Sequence, residues 1–332
     1  MMSDRTPTVG VTMGDPAGIG SEVIVKSYPT LVESATVVVI GDASVLEDAA
    51  DRFASDLTVR PVDSPLDAAG DPDVLPVIDL DNVTDHVYGE LSKANGEASL
   101  EYIERAIELA QADEIDAMAT APINKQATKM AGSEYAGHTG MLADYTDTDD
   151  YSMMLIEDDL TVTHVSTHIP LREACDLDVD DVASTIAVTD EALRDLGIDE
   201  PSVAVAGLNP HASDGGLLGD EEAETIEPAV EQVTETGVDV TGPLPPDTVY
   251  VRAASGEFDC VVSMYHDQGH IPIKMLGFTG DGDAVSGVNV TIGLPIIRTS
   301  VDHGTAFDIA GEGIASEQSM IDAVSTAVKL AR

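Results

Sequence analysis

Three histidines, His168, His211 and His266, each follow a run of apolar residues and stand beside Pro, Gly or Asp, which places each of them just past the end of a strand. Neutral imidazoles delivered this way, with coordination positions left open, suit a catalytic divalent metal. Asp247, in G-P-L-P-P-D-T, and Asp267, next to His266, lie beside these rings and can either orient an imidazole or move a proton. His164, four residues before His168 and read as sharing its strand face, has no motif around it and reads as a core histidine. Lys274 and Arg298 sit inside apolar segments of a chain with only 15 Lys and Arg against 62 Asp and Glu. Cations retained there point to an anionic ligand, the competing reading being buried ion pairs. Lys125, in A-P-I-N-K, and His138, in A-G-H-T-G, arrive on consecutive loops.

Much of this chemistry falls between Met264 and Gly311, which hold three of the eight histidines. The remaining composition narrows what it can serve. A net charge of -47 spread along 332 residues makes the whole surface acidic, a composition that stays hydrated in concentrated salt and implies a salt-rich, halophilic cytoplasm. No basic stripe exists to displace counterions, so a nucleic-acid partner is excluded. Cys175 and Cys260 form neither a C-x-x-C nor a disulfide framework. The first residues, M-M-S-D-R-T-P, lack an apolar signal core, and no run of eighteen apolar residues follows, so a cytoplasmic protein with no membrane partner is expected.

Strands and helices alternate along the chain. T-V-G-V-T-M at 8–13 reads as a buried strand ending in the glycine-rich turn G-D-P-A-G-I-G, which is neither the dinucleotide fingerprint nor a P-loop. T-V-V-V-I at 36–40 is an interior strand of a parallel sheet, followed by a helix over 43–54 and a strand near 57–62. Residues 63–96 read as irregular apart from a short strand at 74–78, and helical spacing begins at Ser99 and runs to Ala112. Further strands are expected at 116–120, 152–157, 160–167, in V-A-V-A-G, and at 259–264, with helices over 181–196 and 221–233. The last helix carries Met320, Ala323, Val324, Ala327 and Val328 on one face.

Taken in order, G-D-P-A-G-I-G, A-P-I-N-K, G-H-T, H-I-P-L, G-L-N-P-H-A, G-P-L-P-P-D-T, M-Y-H-D-Q-G and V-N-V-T-I-G-L-P-I-I-R-T-S-V-D-H-G-T-A resemble the 4-hydroxythreonine-4-phosphate dehydrogenase (PdxA) family over nearly the whole chain. Gly18, Gly20 and Glu22, and the loop from His303 to Gly311, are also similar to the wider isocitrate and isopropylmalate dehydrogenase fold. The resemblance implies an α/β protein of two domains with parallel or mixed sheets and a cleft between them. A cofactor-side domain would span 1–135 plus 296–332, and a metal, substrate and dimerisation domain 136–295. It also implies a homodimer whose active site is shared between subunits.

Carried over by motif, His168, His211 and His266 match the family's ligands for a divalent metal (Zn, Mg, Mn or Co), one of them supplied across the dimer. His138 and Thr139 match substrate contacts, and Lys274, Asn289 and Arg298 match the residues that hold the substrate's anionic groups. Gly18, Gly20, His303, Gly304, Ala306 and Asp308 match the cofactor loops, where an acid at 308 favours NAD over NADP. Asp247, Asp267 and Lys125 are the candidate proton carriers. The implied reaction is oxidation of a small phosphorylated hydroxy acid followed by loss of carbon dioxide. T-G-D-G-D-A-V-S-G, between Phe278 and Val288, is longer than the link expected in the vitamin B6 enzyme. With T-H-V-S-T-H-I-P-L-R-E-A-C, it is closer to family members that act on 4-phospho-D-threonate or 4-phospho-D-erythronate, with 4-phosphohydroxy-L-threonine as the alternative substrate. A phosphate acyltransferase or a non-catalytic binding protein are the readings outside this class.

Overall fold

The computed structural model describes residues 5–68, 70–135, 137–277 and 287–332. The chain divides into two compact units, one of residues 1–147 with 295–332 and the other of residues 148–294. Residues 137–147 and Pro295, expected with the second domain, thus group with the first unit.

The first unit is built on a parallel sheet. Its strands are β1 (Thr8–Thr12), β2 (Thr36–Gly41), β3 (Thr58–Pro61), β4 (Val74–Asp79), β5 (Ala117–Thr120) and, after the chain returns, β12 (Arg298–Val301). The spatial order is β3-β4-β2-β1-β5-β12, and every pairing is parallel. The inner strands are buried on both faces, which is why they read as unbroken apolar runs rather than as an alternation. The helices are α1 (Gly20–Leu31), α2 (Ala43–Phe53), α3 (Lys93–Gln111), α4 (Lys125–Met130), α5 (His138–Tyr145) and, near the C-terminus, α10 (Gln318–Leu330). Helix α1 packs on α2 and α10, while α3 lies over β1, β2 and β5. The Asp42 carboxylate starts α2 by accepting from the Ser44 and Val45 amides. All five apolar residues assigned to one face of the last helix are buried.

Helix α3 begins six residues before the first helical residue expected. Gly96 reads as a breaker, yet in the fold it is the point of closest approach between two helices: a Cβ there would lie 2.2 Å from the Ala127 carbonyl oxygen. Its lost side chain serves packing, not a turn.

The second unit holds β6 (Ser152–Glu157), β7 (Leu160–His164), β8 (Ser202–Ala206), β9 (Asp239–Leu244), β10 (Cys260–Ser263) and β11 (Val288–Ile292), ordered β11-β6-β7-β10-β8-β9. Strand β6 is antiparallel to both neighbours, as its hairpin to β7 requires, and β7, β10, β8 and β9 are parallel. Helices α6 (Val179–Asp195), α7 (Glu227–Thr234), α8 (Val249–Ala254) and α9 (His266–Gly277) cover it. Asp178 and Asp181 form a reciprocal cap at the start of α6. The core gathers Leu155, Val162, Ala204, Val261, Tyr250 and Ile273.

Two further expectations change here. Strand β7 stops at His164, so His168 lies on the loop beyond and does not share a strand face with it. His266, just past β10 as expected, opens helix α9, which the sequence reading did not include. Gly269 and Pro272 disguise that helix in the sequence; a Cβ at Gly269 would come within 2.5 Å of His164 Nε2, so the glycine is needed for helix and strand to meet. The long link singled out in the sequence, 279–287, lies outside the described residues except for Gly287. No described helix is long and apolar enough to cross a membrane.

Candidate active site

In the second unit, β7, β8, β9 and β10 run parallel, so their C-terminal ends lie on one edge of the sheet, where ligand sites of α/β folds are built. His168, His211, Asp247 and His266 all follow those ends. The His168 and His266 ring centroids are 5.5 Å apart. The Asp267 carboxylate is 2.8 Å from His266 Nδ1 and the Asp247 carboxylate 3.6 Å from His211 Nδ1. The Asp267 carboxylate accepts a hydrogen bond from His266 Nδ1 and leaves the Nε2 lone pair for a metal, the usual support for a ligating imidazole, whereas Asp247 lies near His211 without a hydrogen bond to it. Among the described residues, no three His, Cys, Asp or Glu side chains converge on one point that could hold an ion. Imidazoles with a free Nε2 are the donor type a divalent metal takes, and within the described residues of one chain the set is incomplete.

Sequence reasoning missed His270, one helical turn after His266. Its ring stacks on His266 at 3.7 Å and 9°, and its Nδ1 lies 2.9 Å from the His266 carbonyl and 3.2 Å from His164 Nε2. The interval of four in H-D-Q-G-H was the available signal, hidden by Gly269 and Pro272, which disguise the helix. Burial pushes His164 down to about 3, so it is a neutral core ring that also braces this cluster. Gln268 was missed as well. Its side-chain amide donates to the Gly207 carbonyl and its oxygen accepts from the Met264 amide, both at 2.7 Å, tying the exits of β8 and β10 together.

Lys274 is half-buried on the same helix two turns beyond His266. The strand register puts Asn289 opposite Leu155, and Leu155 opposite Val162, on the sheet face that also carries His164. The Asn289 Oδ1 is sealed from solvent and accepts no hydrogen bond among the described residues.

The first unit gathers three loops at the C-terminal ends of the adjacent strands β1, β5 and β12, beside the point where strand order reverses. The Asp15 amide donates to the Pro122 carbonyl and the Ile19 amide to that of Thr305, so G-D-P-A-G-I-G is fastened to both A-P-I-N-K and H-G-T-A. A Cβ on Gly20 would lie 2.3 Å from the Met13 carbonyl oxygen, and one on Gly18 would lie 3.1 Å from Thr305, which accounts for both glycines. Tyr88 and Gly89, which the sequence gave no reason to single out, close the arrangement: the Gly89 amide donates to Ala17, and the Tyr88 ring fills the space against Gly311. Asp308 is exposed, and Ala306 holds a left-handed φ of 42° in the loop that carries His303 and Gly304.

Arg298, the first residue of β12, is only 3% exposed; its guanidinium donates to the Thr120 hydroxyl at 2.7 Å, and burial lowers its pKa to about 9. Burial, and then the positive charges of Arg298 and Lys125, hold His138 well below its usual range, so its ring is neutral. Its Nε2 is sealed and has no partner among the described residues. Lys125 is exposed at the start of α4, and Thr139 follows His138 in the first turn of α5. The Asp15 carboxyl, 1% exposed, has one oxygen on the Ala17 amide and the other without a partner, and burial raises its pKa to about 6.

Residues 33–327 match the family model described as "Pyridoxal phosphate biosynthetic protein PdxA". A D-threonate 4-phosphate dehydrogenase of Cupriavidus necator is 47% identical, with 99% of each chain aligned. A 4-hydroxythreonine-4-phosphate dehydrogenase of Desulforapulum autotrophicum is 45% identical over 98% of this chain and 96% of its own. The crystal structure of a 4-hydroxythreonine-4-phosphate dehydrogenase from Burkholderia phymatum superposes with a TM-score of 0.85 at 45% identity, covering 98% of this chain and 99% of that one. With the fold, the ordered motifs and these relatives in agreement, the chain belongs to the PdxA family and is an oxidoreductase.

Proposed function

We propose that this protein uses NAD and a divalent metal to oxidise and decarboxylate a 4-phosphorylated four-carbon 3-hydroxy acid, 4-phospho-D-threonate or 4-phospho-D-erythronate, to dihydroxyacetone phosphate. The observation that carries the reading is Arg298. A guanidinium buried beside a neutral His138, with Lys125 close enough to act on the same ring, is a place for an anion in a chain of net charge -47. Relatives named D-threonate 4-phosphate dehydrogenase, at 47% and 46% identity over almost the whole chain, support the sugar acid. The 45% relative named for 4-hydroxythreonine-4-phosphate favours the amino acid as the second reading.

The chemistry balances simply. C3 gives up hydride and its hydroxyl a proton, leaving a ketone β to the carboxylate. The C1–C2 bond then breaks, carbon dioxide leaves, and its electron pair becomes the C2–C3 enolate, which is protonated at C2. Bound NAD supplies the hydride acceptor, and a bound divalent ion the Lewis acidity that favours loss of the hydroxyl proton and formation of the enolate. The protein's own part is positional and protonic. Asp267 fixes the tautomer of His266, Asp247 stands near His211, and His168, His211 and His266 are the ligands, not all three drawn from one copy of the chain. Asp247, Asp267 and Lys125 are the groups available to carry protons. Arg298, Lys274, Asn289, His138 and Thr139 hold phosphate, carboxylate and hydroxyl. Exposed Asp308 accepts from a ribose hydroxyl, and Gly304, where a Cβ would meet only open space, leaves the loop clear for the cofactor.

The donor set is completed by a second copy of the chain. Leu171, Leu217, Leu218, Ile271 and Met275 are large apolar side chains left exposed on the unit that carries the imidazoles, and they suit a dimer face. Chelator-stripped protein supplied with NAD and 4-phospho-D-erythronate tests the reaction. Restoring a divalent ion should yield NADH, carbon dioxide and dihydroxyacetone phosphate in equal amounts. NADH without carbon dioxide would overturn the decarboxylating step.

A further inference from the structure

The segment that presents His211 is folded against its own chirality. His211, Ala212, Ser213 and Asp214 have φ of 58°, 54°, 60° and 48°, and Gly215 and Gly216 continue at 70° and 86°. Left-handed backbone is unfavourable at a non-glycine residue, because the Cβ crowds the following carbonyl oxygen. A run of four persists only if its surroundings impose it.

One side chain is built to do so. Glu222 is 2% exposed, and its carboxylate accepts from the Asn209 amide at 2.6 Å, the Asn209 side-chain amide at 2.9 Å and the Ser213 hydroxyl. It therefore grips the chain two residues before His211 and two residues after it. Burial alone would push this carboxyl up; the hydrogen bonds from Asn209 and Ser213 outweigh it and hold Glu222 below the usual range, as a charged acceptor. The space is cut to fit. A Cβ on Gly207 would lie 3.1 Å from Glu222 Oε1 and 2.9 Å from the Ala212 Cα, and one on Gly219 would lie 2.7 Å from Asn209 Nδ2. Glu222 also opens a wide π-helical turn running to Ile226. Pro228, just inside α7, cannot donate to the carbonyl four residues back, and the wide turn absorbs the misfit.

We infer that Glu222 is a positioning residue: through Asn209 and Ser213 it clamps the left-handed turn that begins at His211 and so aims the His211 imidazole. The clamp to the turn stands on geometry alone; its effect on metal binding rests on the reading of His211 as a ligand. Glu222→Gln keeps the volume but replaces one acceptor oxygen with a donor that faces the Asn209 amide. In this variant, amide hydrogen exchange over 209–216 should speed up by about tenfold or more, with the strands of the same unit unchanged. Zn2+ affinity, measured by titration calorimetry with the metal alone, should fall by about tenfold, the lower end of the loss seen for groups that support metal ligands. Glu222→Ala should do more of both, and His211→Ala is the reference for loss of the ligand itself. Unchanged exchange over 209–216 would overturn the clamp. Unchanged Zn2+ affinity in Glu222→Gln, with affinity lost in His211→Ala, would overturn the aiming role. If His211→Ala also binds Zn2+ as before, it is the metal reading that fails, and the exchange result still decides the clamp.

Discussion

Arg298 shows most clearly what single residues are for. Its burial lowers its pKa to about 9, so the folded protein carries this charge at a cost. Replacing it with methionine should raise the melting temperature by a few degrees, corresponding to about 1–3 kcal/mol, while reducing kcat/KM by at least a hundredfold. Inorganic phosphate should raise the melting temperature of the wild type and leave that of Arg298→Met unmoved; an equal shift in both would place the anion elsewhere. Asp15 supplies the pH test. Its carboxyl is raised from 3.8 to about 6 on folding, so the folded state holds the proton more tightly, and the stability it contributes is present below pH 3.8 and lost as pH rises through 6. Asp15→Asn cannot ionise. It should be more stable than the wild type by about 1–3 kcal/mol at neutral pH, with the difference vanishing near the unfolded pKa, as denaturation at the two pH values would show. A constant difference would mean that Asp15 is not the titrating group.

Elements decide which residues meet, and here the sequence was partly legible. The apolar runs that became β1, β2, β5, β8 and β10 were plain, because strands buried on both faces leave no polar alternation to confuse. So were the positions of His168, His211 and His266 after strands, since parallel order brings successive C-terminal ends to one edge. What escaped was whatever depends on a glycine or proline doing tertiary work. Gly96 and Gly269 sit inside helices because a partner's atoms occupy the place of their Cβ, and nothing local distinguishes them from breakers. Losing α9 meant losing His270 and the Gln268 tie, both of which follow from helical spacing after His266. The left-handed turn at 211–216 escaped for the same reason, its cause lying in Glu222. Gly269→Ala tests the point. An alanine in a helix ordinarily stabilises, but here its methyl would meet His164 Nε2 and the Ser263 hydroxyl at 2.5 and 2.8 Å, so a loss of about 1–3 kcal/mol is expected from chemical denaturation. A gain would show that α9 is free to shift.

At the scale of the whole molecule, charge dominates. With a net charge of -47, carboxylates repel one another across the entire surface, and the screening length shrinks to about 3 Å in molar salt. Melting temperature and activity should both rise as KCl goes from millimolar to molar; a flat response would contradict a salt-adapted surface. The exposed apolar residues of the second unit predict a dimer in sedimentation, which Met275→Asp together with Ile271→Asp should dissociate with loss of turnover, while active monomers would rule out a shared site. The central claim concerns the substrate, and its most direct test compares kcat/KM for 4-phospho-D-threonate, 4-phospho-D-erythronate and 4-phosphohydroxy-L-threonine, followed as NADH formation in molar KCl with a divalent ion. The account predicts that one of the two sugar acids is preferred by at least tenfold over the amino acid; a preference for 4-phosphohydroxy-L-threonine would contradict it and assign the protein to pyridoxal phosphate synthesis.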